Sequence, residues 1–481
     1  MKFDNSYLSL GEKFFRRNKP EKAPCASLFL WNQSLADELG FDPEQQLSIQ
    51  QRADIFSGNE YLDGSEPVAL AYAGHQFGNF VAQLGDGRAH LLGEVIDTLG
   101  NRKDIQLKGS GTTDFSRNGD GRYAMGPAIR EYLMSEFMHA LGIPTARSLC
   151  VCETGETVYR EQPQPGAVLT RIAASHIRVG TFEYLAARGY HAEIASLADH
   201  VIQRHYPHIT TTGPERLLEL LSAVMGKQIA LVVEWLRVGF IHGVMNTDNT
   251  TISGETIDFG PCAMINHYDP ETVFSSIDRQ ARYAFGNQPT IISWNMARLA
   301  ETFLPLIDQN EKRAIDKASD IIAGFGTQFS QQYFNMMARK LGIKECQEDD
   351  QKLISELLEI MQQNRLDYTI TFDRLTRFLN NKVRIDQKLT DWLSNWQNRL
   401  QQQNLSTSEV QQLMRRHNPM VIARNHHMEQ VLAECLQSGS ADAAEEFLRV
   451  LRSPYSETRH TLNYQDAPLD GDIHYKTFCG T

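Results

Sequence analysis

The densest chemistry in the sequence lies between residues 242 and 260, where His242-Gly-Val-Met-Asn-Thr-Asp248-Asn249 is followed closely by Thr256-Ile-Asp258-Phe-Gly260. Two carboxylates and an amide oxygen on neighbouring loops are hard oxygen donors, of the kind Mg²⁺ takes together with water and substrate phosphate. Asn249 and Asp258 are therefore the candidate metal ligands, with Mg²⁺ or Mn²⁺ as the expected ion. Asp248, next to the ligand Asn, is left to accept a proton from an attacking hydroxyl and is the candidate catalytic base.

Cations suited to a polyphosphate lie upstream. Lys108 closes the strand-like run Asp104-Ile-Gln-Leu-Lys108 and offers a point charge for phosphate. Glu131 follows on a segment of helical pattern whose faces are both apolar, so its carboxylate wants a cation. Gly85-Asp-Gly87-Arg88 forms a tight turn before the Lys strand. The same four-residue string recurs as Gly119-Asp120-Gly121-Arg122 in a hydroxyl-rich loop, where backbone N–H groups can touch phosphate or ribose. Arg171 and Arg178 flank Ser175, which reads as a helix N-cap. Taken singly, Lys108 and Glu131 are a surface charge or a structural ion pair, the arginines are as readily solvent-facing, and a lone Asp-Phe-Gly is a weak signal. Their order is more specific. Glycine-rich hairpin, strand Lys, helix Glu, a His-containing loop ending in Asn, and Asp-Phe-Gly follow one another as in a protein kinase. One departure argues against ordinary phosphoryl transfer: aligned on His242, Val244 stands where a kinase has its catalytic Asp.

The elements that position these residues are legible in part. Strand patterns cover 80–84, 89–96 and 104–108, joined by tight turns. A helix is expected over 127–141, with Pro127 near its start and Gly142 after its end, and another over 214–237 that delivers the chain to His242. Beyond about residue 295 the apolar spacing is helical, in segments 312–341, 351–363, 387–402, 407–415 and 441–452. The first 75 residues read as irregular or mixed. The fold class expected is α+β, a protein-kinase-like two-lobed fold with an N-terminal extension and a large helical C-terminal extension. The expected division is an extension over 1–75, an N-lobe over 76–165, a C-lobe core over 166–295 and a helical extension over 296–481.

Composition narrows the function classes. A formal charge of -12 supplies no cationic field for non-specific nucleic-acid binding, so any phosphate site must be local. No apolar run reaches bilayer length and the start lacks a signal-peptide core, so no membrane association and a cytoplasmic location are expected. Seven scattered cysteines do not form a disulfide framework, and Cys150-Val-Cys152 has no second pair to complete a zinc site.

The strings YAGHQFG, LGDGRA, QLKGSG, FSRNGDGR, REYLMSE, ASHIRVGTFE, HGVMNTDN and IDFGP, spread over residues 72–261, resemble the motifs of the selenoprotein O family. Members of that family are pseudokinases that act as protein adenylyltransferases. The start of the chain and its helical C-terminal part are similar to the family too. The resemblance implies that ATP binds in an orientation flipped relative to active kinases, that its α-phosphate meets the metal, and that AMP passes to Ser, Thr or Tyr hydroxyls of protein substrates. It implies nucleotide contacts from Gly85, Gly87, Arg88, Lys108, Asp120, Gly121, Arg171, Arg178 and Asp258, with Asp248 as base and Asn249 and Asp258 on the metal. It also implies that Cys479 stands where some members carry selenocysteine and that Cys262 and Cys479 form a regulatory disulfide. By sequence alone each is an incidental thiol. A kinase-type phosphotransferase and a non-catalytic scaffold are the rival readings.

Overall fold

The computed structural model describes residues 3–468 apart from 42–46, 161 and 381–382, together with 471–472 and 475–477. Strand-forming stretches far apart in sequence build one eight-stranded antiparallel sheet. Its members are β1 (Phe15–Arg17), β2 (Ser27–Trp31), β3 (Val68–Leu70), β6 (Ala89–Ile96), β7 (Arg102–Lys108), β8 (Tyr123–Ala124), β9 (Arg147–Tyr159) and β10 (Pro163–Ala173). A separate hairpin, β4 (Gly74–Gln76) and β5 (Asn79–Val81), lies between them in sequence. The strand order is β1-β3-β6-β7-β10-β9-β2, with β8 paired to β10. The first 75 residues, irregular in sequence, thus supply three strands of this sheet, two of them at its borders.

The sheet separates two cores because successive side chains point to opposite faces. Ile105, Leu107, Val168 and Ile172 face α1 (Gln33–Glu38) and α2 (Ile49–Ser57), packing with Leu35, Ile55 and Phe56. The other face is covered by α3 (Met125–Ala140), whose Ile129, Leu133 and Phe137 are fully buried. This is the helix expected over 127–141, beginning two residues earlier. The next helices are α4 (Val179–Ala186), α5 (His191–His205) and α6 (Glu215–Val238). Ser175 does not cap α4, because its hydroxyl is buried against His205 Nε2 at 2.9 Å and Arg178 occupies the N-cap position.

After α6 a left-handed Gly239 turns the chain into β11 (Phe240–Ile241), which pairs with β12 (Ala263–Met264) and brackets the loops carrying Asp248 and Asp258. α7 (Gln288–Ile307) packs along α6 and α4. The remaining chain is helical: α8 (Glu311–Ala323), α9 (Phe325–Lys340), α10 (Glu348–Gln363), α11 (Tyr368–Phe378), α12 (Thr390–Gln401), α13 (Thr407–His417), α14 (Asn425–Ser438) and α15 (Asp442–Leu451). The single helix expected over 312–341 is divided at Gly324, a poor helix former. α14 and α15 lean on α3, so the C-terminal helices support the element that carries Glu131. Among the described residues no helix is long and apolar enough to cross a membrane. The architecture is mixed α and β.

Candidate active site

Lys108 ends β7, and Arg171 stands on the neighbouring β10 opposite Gln106. Residues two apart on a strand share a face, as do directly paired residues. Both cations therefore point towards α3, and Glu131 meets them there. Glu131 Oε2 accepts from Lys108 Nζ at 2.8 Å and from the Tyr123 hydroxyl at 2.9 Å, while Oε1 accepts from Arg171 Nε at 2.5 Å. Burial opposes ionisation of Glu131, but Arg171 and Lys108 together hold it below its ordinary range. Burial, then Arg171, pulls the Lys108 ammonium downwards.

Asp258 joins the same cluster from the opposite loop. Its φ of 63° is left-handed, a strained conformation for a residue with a side chain. Oδ1 accepts from Lys108 Nζ at 3.0 Å and from Arg171, whereas the nearest cation to Oδ2 is Arg178 Nη1 at 3.8 Å. Burial works against the Asp258 carboxylate, yet Arg171, Lys108 and Arg178 hold it well below the usual range. Arg178 also donates to the backbone oxygen of Asp248 at 3.0 Å, approaches Asp86 to 3.7 Å and lies over the Tyr72 ring at 4.4 Å. One buried arginine thereby links both acidic loops to the sheet side of the cleft.

The acidic loops are also tied to each other. His242 Nε2 lies 2.8 Å from the carbonyl oxygen of Ile257, one residue before Asp258. Asn249 donates its amide nitrogen to Val244 O at 3.0 Å, which leaves its amide oxygen as the donor for a cation. Asp248 is different. Its Oδ1 is buried with no hydrogen-bond partner among the described residues, and its Oδ2 has Gln76 Nε2 at 3.5 Å. Burial, opposed by Arg178, lifts this carboxyl to about 6.

These groups border a cleft of about 760 Å³. Gly85, Gly87, Arg88, Lys108, Asp120, Gly121, Arg171, Arg178, Asp248, Asn249 and Asp258 all line it, so the structure brings the expected set together. Glu131 lies buried behind the lining, bonded to Lys108 and Arg171. Asp120 sits at the rim, where Arg160 grips it with two bonds of 2.7 and 2.9 Å. The Arg88 guanidinium lies over the Tyr123 ring at 4.7 Å.

The glycines of the two repeated turns are needed for packing. Gly85 has φ +78°, and a Cβ there would come within 2.3 Å of the Phe115 ring. A Cβ on Gly121 would come within 2.2 Å of Gly111. The loop between the Lys strand and the Glu helix is thus folded onto the first turn, and Phe115 is its plug. Phe115, Tyr72, Gln76, Tyr123 and Asn246 line the cleft without having been singled out in the sequence. Tyr123 could have been noticed, since it adjoins the second Gly-Asp-Gly-Arg turn.

Cys262 does not line the cleft. It is buried, its thiol donates to Phe259 O at 3.3 Å, and burial pushes it up to about 12. Cys479 lies outside the described residues.

A family profile described as "Protein adenylyltransferase SelO" matches residues 1–452, nearly the whole chain and every residue of the cleft. The chain belongs to the SelO family. Relatives carrying the name "Protein nucleotidyltransferase YdiU" agree along their full length. The one from Teredinibacter turnerae is 52% identical over 485 residues, covering 100% of both chains. That from Pseudoalteromonas translucida is 51% identical, covering 99% of both, and that from Geobacillus kaustophilus is 49% identical, covering 100% of this chain and 99% of its own. As a SelO member the chain is a protein nucleotidyltransferase whose reaction is adenylyl transfer to protein.

Proposed function

We propose that the cleft binds ATP with a divalent metal and passes AMP to Ser, Thr or Tyr hydroxyls of protein substrates, in a kinase-like two-lobed arrangement. In this reading the sheet, backed by α3, forms one wall, the loops after α6 form the other, and residues 1–75 and 296–481 are built around them. Lys108, Arg171, Arg178 and Arg88 hold the phosphates, and the two glycine turns bring backbone close to the nucleotide. Asp258 Oδ2 and the Asn249 amide oxygen are the donors left open by the hydrogen bonding, so the chemistry of the residues fits a hard cation. When bound, that cation offsets negative charge on the phosphate oxygens.

The observation that carries the proposal is the Asp248 carboxyl at the cleft wall, which among the described residues has no partner at Oδ1 and at Oδ2 only Gln76 Nε2 at 3.5 Å. An acceptor held there with a carboxyl lifted to about 6 is suited to take a hydroxyl proton. The acceptor oxygen then bonds to the α-phosphorus, the bond from that phosphorus to the bridging oxygen breaks, and pyrophosphate leaves with the electron pair. Nothing in the step needs a base at Val244.

The deciding experiment supplies the protein with ATP labelled at the α- or the γ-phosphate. Label on protein should come from the α-position only, be lost in Asp258→Ala, and fall in Asp248→Ala while ATP still binds. Label from the γ-position without α-label would replace the reading with phosphoryl transfer. The pairing of Cys262 with Cys479 belongs to the same proposal, supported by Thr477 Oγ1, which donates to Pro261 O at 2.8 Å and brings the tail beside Cys262.

A further inference from the structure

The motif Tyr72-Ala-Gly-His-Gln-Phe-Gly78 contributes Tyr72, Gln76 and Phe77 to the cleft, but its other contacts lie behind it. The β4–β5 hairpin lies across the loop that carries Asp248 and is joined to it residue by residue. The His75 N–H donates to Thr247 Oγ1 at 2.7 Å, and the Phe77 N–H donates to Asn246 Oδ1 at 3.0 Å. Next to the His75–Thr247 contact, Gly74 faces Asp248 itself, where an added Cβ would come within 2.3 Å of Oδ1. On the far side of the same loop, Glu183 of α4 accepts from the Thr247 hydroxyl at 2.5 Å and pairs through its other oxygen with His75 Nδ1 at 2.6 Å. Thr247 therefore uses its one hydroxyl as acceptor for the hairpin and donor to α4.

This arrangement is closed on itself. The His75 ring is packed against Phe80 and Trp294, with centroids 4.9 and 5.0 Å away. The Glu183 side chain is only 4% exposed. Burial lifts its carboxyl to about 7 against the Thr247 hydrogen bond and Arg298, with Glu301 assisting, and burial depresses His75, with Arg298 and Arg282 adding to the effect and Glu301 opposing it. The pair can therefore share one proton near neutrality and place no net charge in the interior. His75, Glu183 and Thr247 do not line the cleft, so no nucleotide or metal contact accounts for them.

We infer that Thr247, Glu183 and His75 are positioning residues for adenylyl transfer, holding the backbone of residues 246–248 so that the Asp248 carboxylate stays in place at the cleft wall. Without that hold, rotation or drift of the loop lets the carboxylate find another donor and moves it from the acceptor hydroxyl. The inference rests on Asp248 acting as the base. Displacements of about 1 Å at such a group can cost on the order of a hundredfold in rate.

The test substitutes Thr247→Val, which removes the hydroxyl at nearly constant volume, and measures α-label transfer together with ATP binding by calorimetry. The turnover should fall at least about tenfold, with KM and Kd for ATP changed by less than about twofold. Thr247→Ser should restore most of the rate, and Glu183→Gln, which can still accept from Thr247, should be milder than Glu183→Ala. In an Asp248→Ala background, Thr247→Val should cost nothing further, because no carboxylate remains to be positioned. Undiminished turnover in Thr247→Val, an equal loss of ATP affinity, or a full further loss in the Asp248→Ala background would each overturn the inference. Full transfer by Asp248→Ala alone would instead remove the base reading.

Discussion

Replacing Glu131 with Gln isolates the electrostatic balance on which the cleft is built. Lys108, Arg171 and Arg178 face Glu131, Asp258 and Asp86, so three buried cations are set against three carboxylates, of which Glu131 and Asp86 are buried and Asp258 is part-exposed. Gln keeps the shape and one acceptor oxygen, whose two lone pairs can serve Lys108 and the Tyr123 hydroxyl. Its NH₂, however, faces the Arg171 guanidinium, donor against donor. The variant loses a charge-assisted bond and leaves an uncompensated positive charge at a site 2% exposed, for which a loss of about 3–5 kcal/mol is expected. Urea unfolding followed by fluorescence would show this as a lowered midpoint. Two additions separate the electrostatic cause from simple misfit. ATP with Mg²⁺ brings anionic charge to the same cations and should recover more stability in the variant than in the parent protein. Pairing Glu131→Gln with Lys108→Met should give a smaller loss than the sum of the two single changes, because the orphaned charge is removed with its partner. A midpoint equal to the parent's, or strict additivity in the double variant, would refute the balance argument.

Two further outcomes follow from buried titrating groups. The Glu183 carboxyl, raised by burial from its ordinary 4.5 to about 7, binds its proton in the folded chain over a range where the unfolded chain has released it. Folded stability should therefore decline as pH rises from about 4.5 to about 7, by at most about 3 kcal/mol from this group. Glu183→Gln should flatten that part of the pH profile of urea midpoints, and identical profiles would remove the assignment. Burial also holds the Cys262 thiol near 12, so after reduction iodoacetamide at pH 8 should label exposed Cys25 well before Cys262. Mass mapping of the alkylated peptides checks the order, and equal rates at the two residues would contradict the burial.

The parts of the site that were legible in sequence are those carried by local pattern. Lys108 at a strand end and Glu131 on a helix apolar on both faces follow from periodicity, and the structure joins them at 2.8 Å. The role of Arg171 in bridging Glu131 and Asp258 was not legible, because it depends on β10 pairing with β7 in the register that sets Arg171 against Gln106. Ser175 was misread as a cap because its local sequence is cap-like, while tertiary contact with His205 takes its hydroxyl. β1 and β3 are three residues long, too short for an alternating pattern to stand out, and they exist only because distant strands accept them. Glu183 closes the string ASHIRVGTFE but gives no sign of its role: a carboxylate on a short helix looks ordinary until the hairpin arrives across the loop.

The placement of the first strands has a consequence for how the chain is made. β1 and β2 come from the first 31 residues, yet they end at opposite borders of the sheet, beside β3 and β9. At roughly 5–20 residues per second of synthesis, β2 waits on the order of ten seconds before its partner leaves the ribosome. In that interval Leu30, buried in the finished protein, has no strand to lie against, while Phe15 of β1 waits a shorter time for β3. The earliest-made strands are thus seated at the margins of the sheet, and their apolar side chains stay uncovered until later-made strands arrive.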